Sequence, residues 1–389
     1  MSAGGAWAPV YLDNAATTAV DPRVAAVMVE CLTGAGAYGN PASTTHPYGR
    51  DAARRVEAAR AEVAALIGAQ PGEIVFTSGA TEASNLAILG TARANADRRR
   101  HFVSARTEHR ATLDPLRRLE KEGCPVTWLT PGRDGCISVE AVRAALTPAT
   151  LLVSIMHVNN ETGAVQDVAA IGDACRAAGV LFHCDLAQGV GKLPAVPAGR
   201  LDFASLTAHK IHGPKGIGAL YVREAARPWI APIVFGGGHE RGLRSGTLAT
   251  HQIAGFGRAS AIASEEGGAD AARMRALRQA LWQSLADLPG LHLNSPLEHG
   301  SPAILNLSFE GVEGESLVTA LTDIAVSTGS ACNSASGEPS YVLRALGHST
   351  ELAQSSLRFS FGRYTRAADI ERASAAVRRV VTCLRGIAP

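Results

Sequence analysis

Strand-like and helix-like runs alternate through the first two thirds of this chain, and that alternation restricts its fold more than any other feature. Residues 73–77, 151–158, 180–185, 203–206 and 217–222 read as buried strands, and 50–67 and 81–89 as helices. Apolar strands separated by helix-length segments predict a mostly parallel sheet with helices on both faces, so the fold class is α/β. Around 264–270 the sequence turns acidic and glycine-rich, which reads as a linker. A smaller α+β unit is predicted after it: helix over 272–288, strand over 304–309, helix over 315–321, strand over 357–361 and a last helix capped by Asp369. No internal repeat or low-complexity segment interrupts this order.

Several function classes are disfavoured at once. A chain of 389 residues, 46% hydrophobic, can bury a large core. Its net charge of +2 is too balanced for a dedicated nucleic-acid binder, and the short Arg98-Arg99-Arg100 run reads as a solvated helix end. Met1 to Val10 has neither the charged start nor the apolar stretch of a signal peptide, and no window reaches the roughly 18 apolar residues of a membrane span. The expectation is a soluble, cytoplasmic protein. Seven cysteines are scattered without a C-x-x-C pair, so neither a zinc knuckle nor a disulfide framework is signalled, and most read as small packed hydrophobes. Cys332 differs, because residues 327–340 around it offer nothing large and apolar to anchor them; a mobile, exposed loop carrying a thiol is expected.

The chain has only four lysines, Lys121, Lys192, Lys210 and Lys215, among its 37 basic residues. Arginine serves where a plain charge suffices, but only a lysine amine can lose its proton and attack a carbonyl. Lys210 is preceded by Thr207, Ala208 and His209 and followed by a Gly/Pro turn, so it is a candidate Schiff-base residue, with a solvated surface lysine as the alternative. Phe76 to Ala83 joins a strand to a helix through small hydroxyl-bearing residues, which makes a phosphate cradle or, more simply, a helix cap. It has neither the P-loop nor the dinucleotide glycine spacing. Asp185 ends an apolar strand and needs a cationic partner; a protonated pyridine nitrogen would serve, and so would capping the next helix. A metal set with His183 and Cys184 is disfavoured, since Cys184 points to the opposite face of the strand. Imine-forming lysine, phosphate cradle and pyridinium partner together describe pyridoxal 5'-phosphate.

These residues also carry a family resemblance. The runs Tyr11-Leu12-Asp13-Asn14-Ala15-Ala16, Gly39-Asn40-Pro41, Thr107-Glu108-His109, His157-Val158-Asn159-Asn160-Glu161, Gly236-Gly237-Gly238-His239-Glu240-Arg241 to Thr247, and Leu357-Arg358-Phe359-Ser360, together with the Lys210 and Cys332 segments, resemble a cysteine desulfurase of the NifS/IscS type. That family lies within the class V aminotransferase superfamily, and the resemblance runs nearly end to end. It implies the aspartate aminotransferase-like fold type I, with a large domain over 16–263 and a small one over 1–15 and 264–389.

By that resemblance Lys210 holds pyridoxal 5'-phosphate as a Schiff base and moves protons, and His109 stacks on the pyridine ring and exchanges a proton with the substrate thiol. Acid-base help of this kind is worth roughly 10² to 10⁴ in rate. Asp185 pairs with the ring nitrogen, Asn160 and Gln188 address the 3'-oxygen region, and Ala80, Thr81, Thr207 and His209 hold the phosphate. Thr247 reaches the phosphate of a neighbouring subunit, which implies a homodimer. Arg358, with Asn14 and Asn160, clamps the substrate carboxylate. Cys332 takes the sulfur of L-cysteine as a persulfide, leaving alanine, and passes it to an acceptor protein such as an iron-sulfur scaffold or a thiolation carrier. No metal site, direct nucleic-acid contact or membrane contact is implied, apart from Cys332 as a transient iron-sulfur ligand. Asn333, Thr207, Leu186 and His212 depart from the common family pattern without removing a needed group. Because the last residue is Pro389, the resemblance leads to the expectation that the longer tail through which some members dock a scaffold is missing. A transaminase would need no mobile thiol; a selenocysteine lyase, or a non-catalytic phosphate-binding or sulfur-scaffold protein, is the competing reading.

Overall fold

In the computed structural model, residues 9–34, 36–328 and 338–387 are described. A seven-stranded sheet holds, in spatial order, Ile74–Thr77, Gly218–Val222, Phe203–Thr207, Leu181–Asp185, Thr150–Ser154, His101–Ala105 and Val126–Leu129. Every neighbouring pair is parallel except those made by Gly218–Val222, which runs antiparallel to both its neighbours. Five of these strands coincide within a few residues with the runs expected from sequence. Their interior positions are almost wholly apolar because both faces of the sheet are covered, by one core that includes Val103, Val153 and Phe182 and another that includes Phe102, Leu152 and Phe203.

A second, four-stranded antiparallel sheet has the order Ser327–Thr328, Ser356–Ser360, Ile304–Phe309, Leu291–Leu293. Its core gathers Leu305, Leu307, Phe359 and Val377 from the C-terminal part with Val10 and Leu12 from the N-terminal segment, and Val10 pairs in parallel with Ile324. The last helix runs Ala367–Ile387, so Asp369 stands in its first turn and is not its cap; its carboxylate accepts from the Arg366 N–H.

Residues 264–270 are no linker. One helix of 36 residues, Thr250–Leu285, runs straight through them. Its first half puts Ile253, Phe256 and Ile262 into the core of the large sheet and its second half puts Met274, Leu281 and Leu285 into the other core. Gly267 is there for close packing, since a Cβ on it would lie 2.8 Å from the Gly191 carbonyl oxygen. Arg98 to Arg100 also differ from expectation: the helix Ala80–Ala94 ends before them, and Arg99 donates to the Gly179 carbonyl at 2.7 Å. No helix among the described residues is long and apolar enough to cross a membrane.

Candidate active site

The carboxyl ends of the parallel strands, where open α/β sheets bind ligands, surround a cavity of about 530 Å³. Ala80, Thr81, His109, Asn160, Asp185, Gln188, Thr207, His209, Lys210 and Arg358 all line it, from segments spread over the chain. Two expected residues do not. The Asn14 amide donates to the Ser360 carbonyl at 2.9 Å, and Thr247 is exposed on the segment after Arg244. Cys332 lies outside the described residues.

The cradle is built by a strand turning abruptly into a helix. Helix Ala80–Ala94 starts at Gly79, which brings no capping side chain, so Ala80 and Thr81 present the positive end of the helix to the cavity. Glu82 reaches back to the Ser78 N–H at 2.6 Å and is itself held by Arg244 at 2.7 Å. Gly218 lets the antiparallel strand pass underneath, since a Cβ there would meet the Gly79 Cα at 2.6 Å.

Lys210 closes a short 3-10 turn, Ala208–Lys210, which Thr18 pins from the N-terminal segment. The Thr18 hydroxyl donates to the His209 carbonyl at 2.9 Å and accepts from the His212 N–H at 2.9 Å. Burial first, and then the nearby lysines, hold the His209 imidazole down to about 4, so it enters the site neutral.

His109 caps helix Arg110–Lys121, its Nδ1 accepting the Ala111 N–H at 3.1 Å. Burial and then the Lys210 charge keep its pKa below the ordinary value, and with Nδ1 an acceptor the neutral ring carries its hydrogen on Nε2. Asp185 is buried at the end of strand Leu181–Asp185; Oδ1 accepts the Ala187 N–H at 2.9 Å while the carboxylate lines the cavity.

Arg358 is held by three groups at once. It donates to Asp13 at 2.9 Å, to the Ser327 hydroxyl at 3.0 Å and to the Asn160 carbonyl at 2.8 Å. Its Nε and the Asn160 Oδ1 are buried without a hydrogen-bond partner among the described residues. Asp13 and Ser327 were not foreseen as site residues. Asp13 precedes Asn14 in one of the family-like runs, and the rule that a buried arginine needs a carboxylate would have pointed to it. Glu108 was also missed: its Oε1 accepts the Met156 N–H at 2.9 Å, and burial pushes its carboxyl well above the usual range.

The residues fit pyridoxal 5'-phosphate. A helix N-terminus without a side-chain cap suits the phosphate, the Asp185 carboxylate suits a ring N–H, Lys210 brings the amine, and the partnerless Asn160 oxygen marks a polar contact that these residues leave unmade.

The profile of the family described as Aminotransferase class-V matches residues 10–373. A protein named cysteine desulfurase IscS from Serratia proteamaculans is 54% identical over 382 residues, covering 98% of this chain and 95% of its own length. Among solved structures, a NifS-like protein superposes with a TM-score of 0.89 at 35% identity, covering 98% of this chain and 100% of the other. A structure described as SspA in complex with cysteine superposes with a TM-score of 0.79 at 35% identity, covering 92% and 99%.

Proposed function

This chain belongs to the class V aminotransferase family, and from that premise we propose how its own side chains carry out the work of a pyridoxal 5'-phosphate-dependent cysteine desulfurase, the activity named for its full-length relatives. The overall conversion is L-cysteine to L-alanine, with the sulfur atom passed on. One observation carries the assignment of roles: the cavity gathers Lys210, His109, Asp185 and Arg358 from four distant parts of the chain around one helix N-terminus.

When bound, the cofactor supplies an aldehyde that captures amino groups and an electron-withdrawing ring. Everything else falls to the protein. Lys210 Nζ would be the capturing amine and the group that moves protons between the substrate Cα and the cofactor. Asp185 keeps a proton on the ring nitrogen, Asn160 and Gln188 address the 3'-oxygen, and Ala80, Thr81, Thr207 and His209 hold the phosphate. His109 would stack on the ring, and with Nδ1 taken by the Ala111 N–H its Nε2 would be the nitrogen left to exchange a proton with the substrate thiol. Arg358 receives the substrate carboxylate, with Asn14 and Asn160 shaping that corner; a planar two-pronged donor suits a carboxylate.

Cys332 supplies the thiolate. Its sulfur bonds to the substrate sulfur as the C–S bond breaks with its electron pair going to Cβ, a proton completes the alanine methyl group, and a persulfide stays on Cys332 until an acceptor protein removes the outer sulfur. An iron-sulfur scaffold or a thiolation carrier fits that last step. We place the protein in the cytoplasm, as a homodimer in which Thr247 reaches the neighbour's phosphate. Exposed Val29, Leu32, Tyr38 and Tyr48 on the 29–48 segment, and Phe235 at 65% exposure on the way to Thr247, support an interface. We divide the chain into a large domain, 16–263, and a small one, 1–15 with 264–389; the separate cores around the two sheets support the division.

The test is cysteine turnover with alanine and sulfide measured in parallel, followed by mass analysis of Cys332. Equal yields and one added sulfur atom on Cys332 are expected; alanine formed without any mass increase at that residue would remove the persulfide step.

A further inference from the structure

Asp185, Gln188 and Lys192 follow one another along the chain that leaves the strand Leu181–Asp185. Backbone bonds from Val190 to Leu186 and from Leu193 to Gly189 coil this stretch, which brings residues four apart side by side. Lys192 Nζ lies 3.3 Å from Gln188 Oε1, and Gln188 Nε2 donates to the Ala15 carbonyl at 2.8 Å. Gln188 lines the active cavity, whereas Lys192 does not.

Those two contacts fix the amide. The Ala15 carbonyl can only accept, so it takes one of the two hydrogens on Nε2, and Oε1 must then face Lys192. The second N–H of Nε2 has no hydrogen-bond partner among the described residues, on a side chain that lines the cavity. Lys192 itself is an expensive residue at this place: it is 8% exposed, and no carboxylate forms an ion pair with it among the described residues. Burial, followed by the charges of Lys210 and Arg358, brings its pKa down to about 7. An apolar side chain of the same length would pack there at lower cost. As ammonium or as amine, however, Nζ keeps an N–H to give.

We propose that Lys192 is a positioning residue for the cofactor site, its Nζ holding the Gln188 carbonyl so that an amide N–H, and never the amide oxygen, faces the 3'-oxygen of the bound ring. The inference rests on the reading of Gln188 given above. A donated N–H stabilises the anionic form of that oxygen, so the site tunes the acidity of the bound cofactor through a lysine that never touches it.

The experiment is a pH titration of the visible absorption band of the holoenzyme for the unaltered protein, Gln188→Ala, Lys192→Met and the double variant. Gln188→Ala and Lys192→Met are each expected to raise the midpoint, Lys192→Met by about one pH unit, a tenfold change in acidity. The double variant should match Gln188→Ala alone, because Lys192 acts through that amide. A shift in Gln188→Ala with none in Lys192→Met overturns the role of Lys192 and leaves Gln188 in place. No shift in Gln188→Ala overturns the Gln188 reading itself. Additive shifts in the double variant mean that Lys192 acts only as a charge through space, which also overturns the proposal. Replacing a buried lysine that lacks a carboxylate partner by methionine is not expected to unfold the chain, and Lys192→Leu, read by the same criteria, serves if it does.

Discussion

The Glu161 carboxylate accepts a hydrogen bond from the hydroxyl of Ser340, the residue that caps helix Tyr341–Ala345 just beyond the segment of Cys332. Glu161 follows Asn160 in the wall of the site, and burial pushes its carboxyl from 4.5 up to about 7, against the opposite pull of Ser340 and Arg358. The native state therefore holds a proton that the unfolded chain has released, so stability falls as pH rises from the unfolded value through the folded one. A gap of this size corresponds to about 3 kcal/mol. Glu161→Gln keeps an oxygen for Ser340 and removes the titration. Urea unfolding of the two proteins at about pH 5 and about pH 8 should show a steep loss only in the unaltered one; equal slopes would show that Glu161 does not titrate in this window.

What was legible in the sequence was local. The strands Phe203–Thr207 and Ile304–Phe309 announce themselves as short apolar runs between turn residues, and Lys210 stands out because so few lysines compete with it. What was not legible depends on distant partners. Gly267 in an acidic, glycine-rich stretch reads as a linker until Gly191 is seen against it. Arg358 and Asp13 are 345 residues apart, and nothing local to either predicts the pair. Lys192, between Gly191 and Leu193, looks like any loop lysine; only burial against Gln188 separates it from one.

The contact between the helices Pro47–Leu66 and Thr250–Leu285 should be intolerant of even one methyl group at Gly257. A Cβ there would lie 2.5 Å from the Ala59 Cα, which is backbone and cannot swing aside. Glycine to alanine inside a helix normally gains about 1 kcal/mol, whereas forced overpacking costs about 1–3 kcal/mol. Gly257→Ala is expected to lose up to about 2 kcal/mol net in the urea unfolding of the apoprotein. A gain in stability would mean that the two helices separate more readily than their packing indicates.

Arg358 offers a test that separates charge from shape. Lys keeps the positive charge but not the planar fork, and Asp13 and Ser327 remain beside it. Each charge-assisted hydrogen bond lost is worth about 1.5–3 kcal/mol, so Arg358→Lys should raise KM for cysteine about tenfold to a hundredfold. Its visible absorption should be unchanged, since the cofactor is held by other residues. Steady-state kinetics decide: an unaltered KM removes Arg358 from substrate binding.

In the proposed mechanism Cys332 and Lys210 divide the reaction between them, so their variants should fail differently. Serine at 332 offers a hydroxyl that is a far weaker nucleophile than a thiolate at neutral pH. Cys332→Ser should therefore stay yellow and still change its spectrum when cysteine is added, while sulfide release falls at least about a hundredfold. Lys210→Arg keeps a charge but has no amine that can form an imine, so it should lose both the band of the resting enzyme and turnover. Undiminished sulfide release by Cys332→Ser would transfer the nucleophile to another thiol. Among the described cysteines Cys136 and Cys175 are poor candidates, because burial raises their pKa to about 11 and about 12 and leaves almost no thiolate to attack.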